Sequence, residues 1–263
     1  MIGYACRLKR ALAKGILPLA LGCSVLFYSG ELTGAVEKSE KIVAADQLLE
    51  QNMSIEDKYG FEFHGRRFIG YPDVYSPIIF GGANKQTDIN INEGERFLEL
   101  GCGTGVFSVL AALEGAKGVV AVDINAAAVA NTLENAKLHG VDNKVTVLQG
   151  DMFLPLAKED LFDVIFFNIP FCHRNCDASE LTMLGRSLYD PEHDLLHRYF
   201  REGKENLAPG GRMLLGYSTT HGDIELMHQW ADAYDWEVKL LHKFGDEKID
   251  FFTVELYECR PRL

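Results

Sequence analysis

Three glycines at alternate positions, Gly101, Gly103 and Gly105, separate an apolar strand-like run from a helical one, and this junction constrains the fold more than any other stretch. Phe97-Leu98-Glu99-Leu100 precedes the turn and Val106 to Glu114 follows it. A strand that enters a helix through a side-chain-free turn lets backbone lie directly against a ligand, with free N–H groups at the helix start. The same order recurs downstream. Strand Gly118–Val122 leads to helix Asn125–His139, and strands Lys144–Gln149 and Phe162–Phe167 follow, the latter with a long excursion to Asn206. A turn over Leu207–Gly211 feeds strand Arg212–Tyr217, and Glu237–Lys243 and Phe251–Tyr257 close the chain as two strands. Continuous apolar runs such as Val164-Ile165-Phe166-Phe167 fit strands buried on both faces of a parallel sheet. Strand and helix alternate, which predicts a doubly wound α/β domain.

Each strand end carries polar residues that converge on one ligand. A dinucleotide-binding turn needs Gly-x-Gly-x-x-Gly, but the position of its third glycine is taken by Val106, so a nicotinamide cofactor is disfavoured. Asp123 ends the next strand, where a carboxylate can accept both hydrogens of a ribose diol. Asp151 ends the third, placed to accept from an adenine amino group while Met152 or Phe153 covers the ring.

Together these residues resemble the class I S-adenosylmethionine-dependent methyltransferases, over roughly Tyr75 to Glu258. The resemblance implies a Rossmann-like doubly wound sheet whose terminal strand is antiparallel, and S-adenosyl-L-methionine as cofactor. It further implies that Glu99 and the turn Gly101, Cys102, Gly103, Thr104 and Gly105 hold the methionine part. Asp123 and the adjoining Ile124 would hold the ribose, and Asp151 with Met152 the adenine.

The fourth strand end, Asn168-Ile169-Pro170-Phe171, looks like the signature of methyltransferases acting on planar nitrogens. A conjugated amino group keeps its lone pair in the π system. If the Asn168 side-chain oxygen and the Ile169 carbonyl accept its two hydrogens, the nitrogen can rehybridise and aim that pair at a methyl group. Asn168 would thus border cofactor and acceptor alike, and Phe171 would stack on the planar group. Tyr71-Pro72-Asp73-Val74-Tyr75-Ser76-Pro77 resembles the segment preceding the cofactor turn in release-factor glutamine methyltransferases and ribosomal-RNA guanine methyltransferases. The former carry Asn-Pro-Pro-Tyr, and Ile169 and Phe171 replace Pro and Tyr here. The expectation is N-methylation of a planar amide or amine nitrogen in a protein glutamine or a small molecule. A biosynthetic small-molecule amine, an exocyclic amine of ribosomal RNA and a non-catalytic cofactor-binding module stand as alternatives. The net charge of -12 argues against a nucleic-acid acceptor. The sequence does not fix an oligomeric state.

The first 39 residues read as an apolar leader or extension, with Arg7, Lys9, Arg10 and Lys14 before an apolar run from Gly15 to Tyr28. Membrane association would be confined to residues 1–30. Cofactor chemistry requires the cytosol, so the expected location is cytoplasmic, with export or membrane association through the N-terminal apolar segment as the alternative. Residues 40–74 read as a helix and a hairpin turning at His64-Gly65, together forming a lid over a domain spanning 75–263. The six cysteines form no paired C-x-x-C sets, and no metal site is expected. Cys172-His173 with Cys176 reads as loop, with His173 and Arg174 as candidates for substrate contact. His193 and His197, four apart, read as part of an amphipathic packing helix.

Overall fold

Along the central strand the side chains alternate in direction, and both directions are buried. The computed structural model describes residues 42–80, 89–245 and 253–262. The expected leader, residues 1–39, lies outside the described residues, as does the start expected for the last strand at Phe251.

Strands β3 (Arg96–Leu100), β4 (Gly118–Asp123), β5 (Val145–Gln149), β6 (Phe162–Asn168), β7 (Leu207–Tyr217), β8 (Trp236–Phe244) and β9 (Val254–Pro261) form one seven-stranded sheet in the order β5-β4-β3-β6-β7-β9-β8. The pairs from β5 through β7 are parallel; β9 runs antiparallel between β7 and β8. This is the doubly wound sheet with an antiparallel terminal strand that the sequence predicts. Ile165 and Phe167 of β6 pack with Leu196, Tyr199 and Phe200 of helix α5 (Asp194–Glu202), together with Met227 and Ala231 of α6 (Ile224–Ala233). Val164 and Phe166 face the other way. They join Phe107 and Val109 of α3 (Val106–Leu113) and Ala136 of α4 (Ala126–Leu138). Two-residue periodicity thus divides one apolar run between two cores.

The element boundaries carry one correction. Leu207–Gly211 is not a turn ahead of the strand but its first part: Leu207 already pairs with Phe162, and the register then jumps so that Val164 pairs with Arg212. Pro209-Gly210-Gly211 is absorbed as an irregularity, with Gly210 at φ 79°.

Ahead of the sheet, helix α1 spans 42–53, strands β1 (Tyr59–Phe63) and β2 (Arg66–Gly70) form an antiparallel hairpin, and a short turn of helix, α2, covers Pro77–Phe80. The hairpin lies on α4. Asn135 Oδ1 accepts from Ile69 N at 2.9 Å, its Nδ2 donates to Ile69 O and to Thr104 O at 2.8 Å each, and Asn131 Nδ2 donates to Ile69 O at 2.7 Å. Both amides are fully buried, so these bonds satisfy groups that would otherwise be stranded. Among the described residues no helix is long and apolar enough to cross a membrane.

Candidate active site

Chain direction reverses its winding at β3: β4 and β5 lie to one side and β6 and β7 to the other. At such a switch point the loops leaving the carboxyl ends diverge and open a crevice. A cleft of about 280 Å³ sits there, bordered by the ends of β3, β4, β5 and β6. Of the residues singled out in the sequence, Glu99, Gly101, Cys102, Gly103, Thr104, Asp123, Ile124, Asp151, Met152 and Asn168 through Phe171 all line it.

Gly105 does not. It takes φ 76° as the N-cap of α3, and a Cβ there would stand 2.6 Å from Thr132. Its part is to fold the turn rather than to touch a ligand. Gly101, at φ 62°, would put a Cβ 2.7 Å from the Phe167 ring, whereas Gly103 faces open space.

The acids behind the turn are tightly engaged. Glu99 is 3% exposed and accepts from the backbone N–H and the hydroxyl of Ser108 in the first turn of α3. Burial, helped by the like charge of Asp123 and opposed by the Ser108 bonds, pushes its carboxyl up to about 8. Asp123 Oδ2 accepts from Gly103 N at 2.9 Å and its Oδ1 from Asn125 N at 2.8 Å, which ties the ends of β3 and β4 together. Burial raises the Asp123 carboxyl as well. Cys102 is buried, accepts from Thr132 Oγ1 at 3.3 Å, and has its thiol pushed well up by burial, so it stays unreactive.

Asn168 stands apart from these satisfied groups. Its Oδ1 is buried with no hydrogen-bond partner among the described residues, and a Cβ on Gly216 of β7 would come within 2.6 Å of it. Ile169 N donates to Gly216 O at 3.2 Å, which fixes the start of the tetrapeptide against β7. Ile169 and Phe171 are 1% and 9% exposed. An orphaned buried acceptor costs a few kcal/mol unless a ligand completes it, roughly 1–3 for an uncharged group.

Further lining residues come from outside the strand ends. Asp73 through Tyr75 and Pro77 form one wall, secured where Asn125 Nδ2 donates to Asp73 O at 2.8 Å, Asn52 Nδ2 to Val74 O at 3.2 Å and Ser76 N to Asn52 Oδ1 at 2.8 Å. No hairpin residue from 59 to 70 lines the cleft; the hairpin's place is on α4, and the segment after it supplies the wall. From the excursion after β6 come Arg186, whose Nε is buried without a partner, and Asp190. Asp190 accepts from the N–H groups of Leu195 and Leu196 at 3.0 and 3.1 Å, and its carboxyl is pushed up to about 7, chiefly by burial. Arg198 of α5 completes the border.

His173 and Arg174, expected near substrate, are turned elsewhere. Arg174 Nη1 donates to Asp46 Oδ1 at 2.8 Å, which also accepts from the Tyr189 hydroxyl at 2.7 Å, and the His173 ring stacks on His193 at 4.6 Å. His193 is the left-handed N-cap of α5, and its ring and that of His197 both pack on Trp230, with centroids 6.5 and 4.8 Å away. Among the described residues no group of three His, Cys, Asp or Glu could hold a metal ion.

A family described as Methyltransferase domain matches residues 91–249. A Methanocaldococcus jannaschii protein, provisionally named a protein N5-glutamine methyltransferase, is 30% identical over 171 residues, 64% of this chain and 84% of that protein. The ribosomal protein uL3 glutamine methyltransferase of Bradyrhizobium diazoefficiens is 32% identical over 155 residues, 54% of this chain but 48% of its own length. Among solved structures, a provisionally named methyltransferase complexed with S-adenosylhomocysteine superposes with a TM-score of 0.56 at 16% identity, over 78% of this chain and 57% of that one.

Proposed function

The chain belongs to the methyltransferase-domain family and takes its methyl group from S-adenosylmethionine, and from that premise we propose that the acceptor is the side-chain amide nitrogen of a protein glutamine. The observation that carries the proposal is the buried, unpartnered Asn168 Oδ1 at the end of β6. An oxygen without a donor is complementary to an N–H of the acceptor, and the Ile169 carbonyl beside it offers a second place. Arg186 favours an amide over an amine. Its buried Nε lacks an acceptor, and an amide brings a carbonyl oxygen along with its nitrogen. The names of the two relatives above point to the same group.

Bound S-adenosylmethionine supplies a methyl group on a sulfonium, an electrophile that needs no further activation. The chain's own residues would do the aligning. Gly101 to Thr104 would hold the methionine portion, Asp123 the ribose hydroxyls and Asp151 the adenine. Two hydrogens of the amide nitrogen would rest on Asn168 Oδ1 and the Ile169 carbonyl, drawing electron density toward the nitrogen as it leaves conjugation. With the nitrogen so held, the cofactor would supply the methyl group, and the proton displaced from the amide would pass to solvent. The Phe171 ring supplies an apolar wall for a planar group.

Incubating the protein with methyl-tritiated cofactor and a ribosomal-protein fraction tests the acceptor. Label that leaves as methylamine on acid hydrolysis identifies a methylated amide. Label recovered as methanol after mild base, or as an acid-stable methylated amine, overturns the proposal.

A further inference from the structure

Arg198 borders the cleft beside the turn that follows β5. Its side chain is 13% exposed and touches three carboxylates. Nη1 donates to Asp151 Oδ2 at 2.9 Å, Nε donates to Glu202 Oε1 at 3.3 Å, and Asp194 Oδ2 lies 3.6 Å from Nη1. Asp194 and Glu202 stand one helical turn before and after Arg198 on α5, so they set its rotamer from its own helix. The bond to Asp151 instead crosses 47 positions of sequence and joins α5 to the turn.

That turn is shaped to present a side chain. A Cβ on Gly150 would meet the Pro155 ring at 2.7 Å, and Met152 is left-handed at φ 49°. Among the described residues Arg198 is the group that holds the Asp151 carboxylate. An ion pair whose acid is 36% exposed adds little to folding stability, but it decides which way that carboxylate turns. A planar, doubly anchored guanidinium is well suited to fixing one carboxylate oxygen while leaving the other for a ligand.

We propose that Arg198 is a positioning residue for the cofactor's purine: by occupying Asp151 Oδ2 it fixes Oδ1 as the acceptor for the adenine 6-amino group. This rests on Asp151 as the adenine acceptor, and the test separates the two. Calorimetry on the full chain compares S-adenosylhomocysteine with the analogue in which hydrogen replaces the 6-amino group. The parent protein should prefer the amino ligand by roughly tenfold or more, the worth of one hydrogen bond to a charged acceptor. In Arg198→Met that preference should collapse toward unity through weaker binding of the amino ligand, with affinity for the analogue unchanged within about twofold, and Arg198→Lys should fall between. Equal weakening of both ligands would show a merely structural arginine, and an intact preference would show no role; either overturns the inference. If Arg198→Met does not fold, Arg198→Lys decides by the same criteria. Asp151→Ala tests the premise. If the parent shows no preference, or Asp151→Ala keeps it, the adenine role of Asp151 fails and the inference with it. If Asp151→Ala abolishes the preference and Arg198→Met does not, only the inference fails.

Discussion

Replacing Asn168 by alanine removes a buried oxygen that no group among the described residues satisfies, so the fold should tolerate the change better than the reaction does. Turnover should fall by roughly a hundredfold or more while cofactor affinity stays within a few-fold, because the lost contact is worth most as the nitrogen rehybridises. Steady-state kinetics with calorimetry reads both. Glu99 yields a pH prediction. Its carboxyl titrates near 8 in the folded chain, against an ordinary value of 4.5. Between those values the folded state keeps a proton that the unfolded state releases. The stabilisation is therefore complete below about pH 4.5 and is lost as pH rises through 8, with a slope of up to about 1.4 kcal/mol per unit. Glu99→Gln cannot titrate, so its melting temperature should gain on the parent's as pH rises from 5 to 8. Parallel melting curves would contradict this.

At the level of elements, the pairing of Asn168 with Gly216 across β6 and β7 sets how much room the Asn168 side chain has. In Gly216→Ala the new methyl would press on Asn168 Oδ1, and turnover should drop with little change in circular dichroism. Gly105→Ala acts on folding instead, through its left-handed φ and the nearby Thr132, and should lower stability by about 1–3 kcal/mol in chemical denaturation. Local pattern made strands and turns of this kind readable. Alternating glycines, the acids Asp123 and Asp151 and the apolar run of β6 all announce themselves within a few residues. The start of β7 did not, because Pro209-Gly210-Gly211 has the composition of a turn and only the pairing of Leu207 with Phe162 reveals the strand. Arg186, Asp190 and Arg198 were equally hidden. What brings them to the cleft is the path of a long excursion back across the strand ends, which no spacing in the sequence encodes.

On the scale of the whole molecule, the chain carries twelve negative charges in excess, and its cleft is bordered by Asp73, Asp123, Asp151 and Asp194 against Arg186 and Arg198, while Glu99 and part of Asp190 hold their protons near neutral pH. A polyanion approaching it meets repulsion that salt weakens. Gel-shift titrations with ribosomal RNA at low salt should therefore show no binding; a shift that weakens steeply with added salt would mark a basic face and reopen the nucleic-acid alternative. The Asn135 side chain has a consequence of a different kind. One buried amide bonds both the second strand of the hairpin at Ile69 and the glycine turn at Thr104, so the two cannot open independently without stranding its polar atoms. Backbone amides of Phe61 to Ile69 and of Cys102 to Gly105 should exchange their hydrogens as one cooperative unit. Ligand that rests only on the turn should then slow exchange in a hairpin it never touches, and Asn135→Ala should confine that protection to the turn.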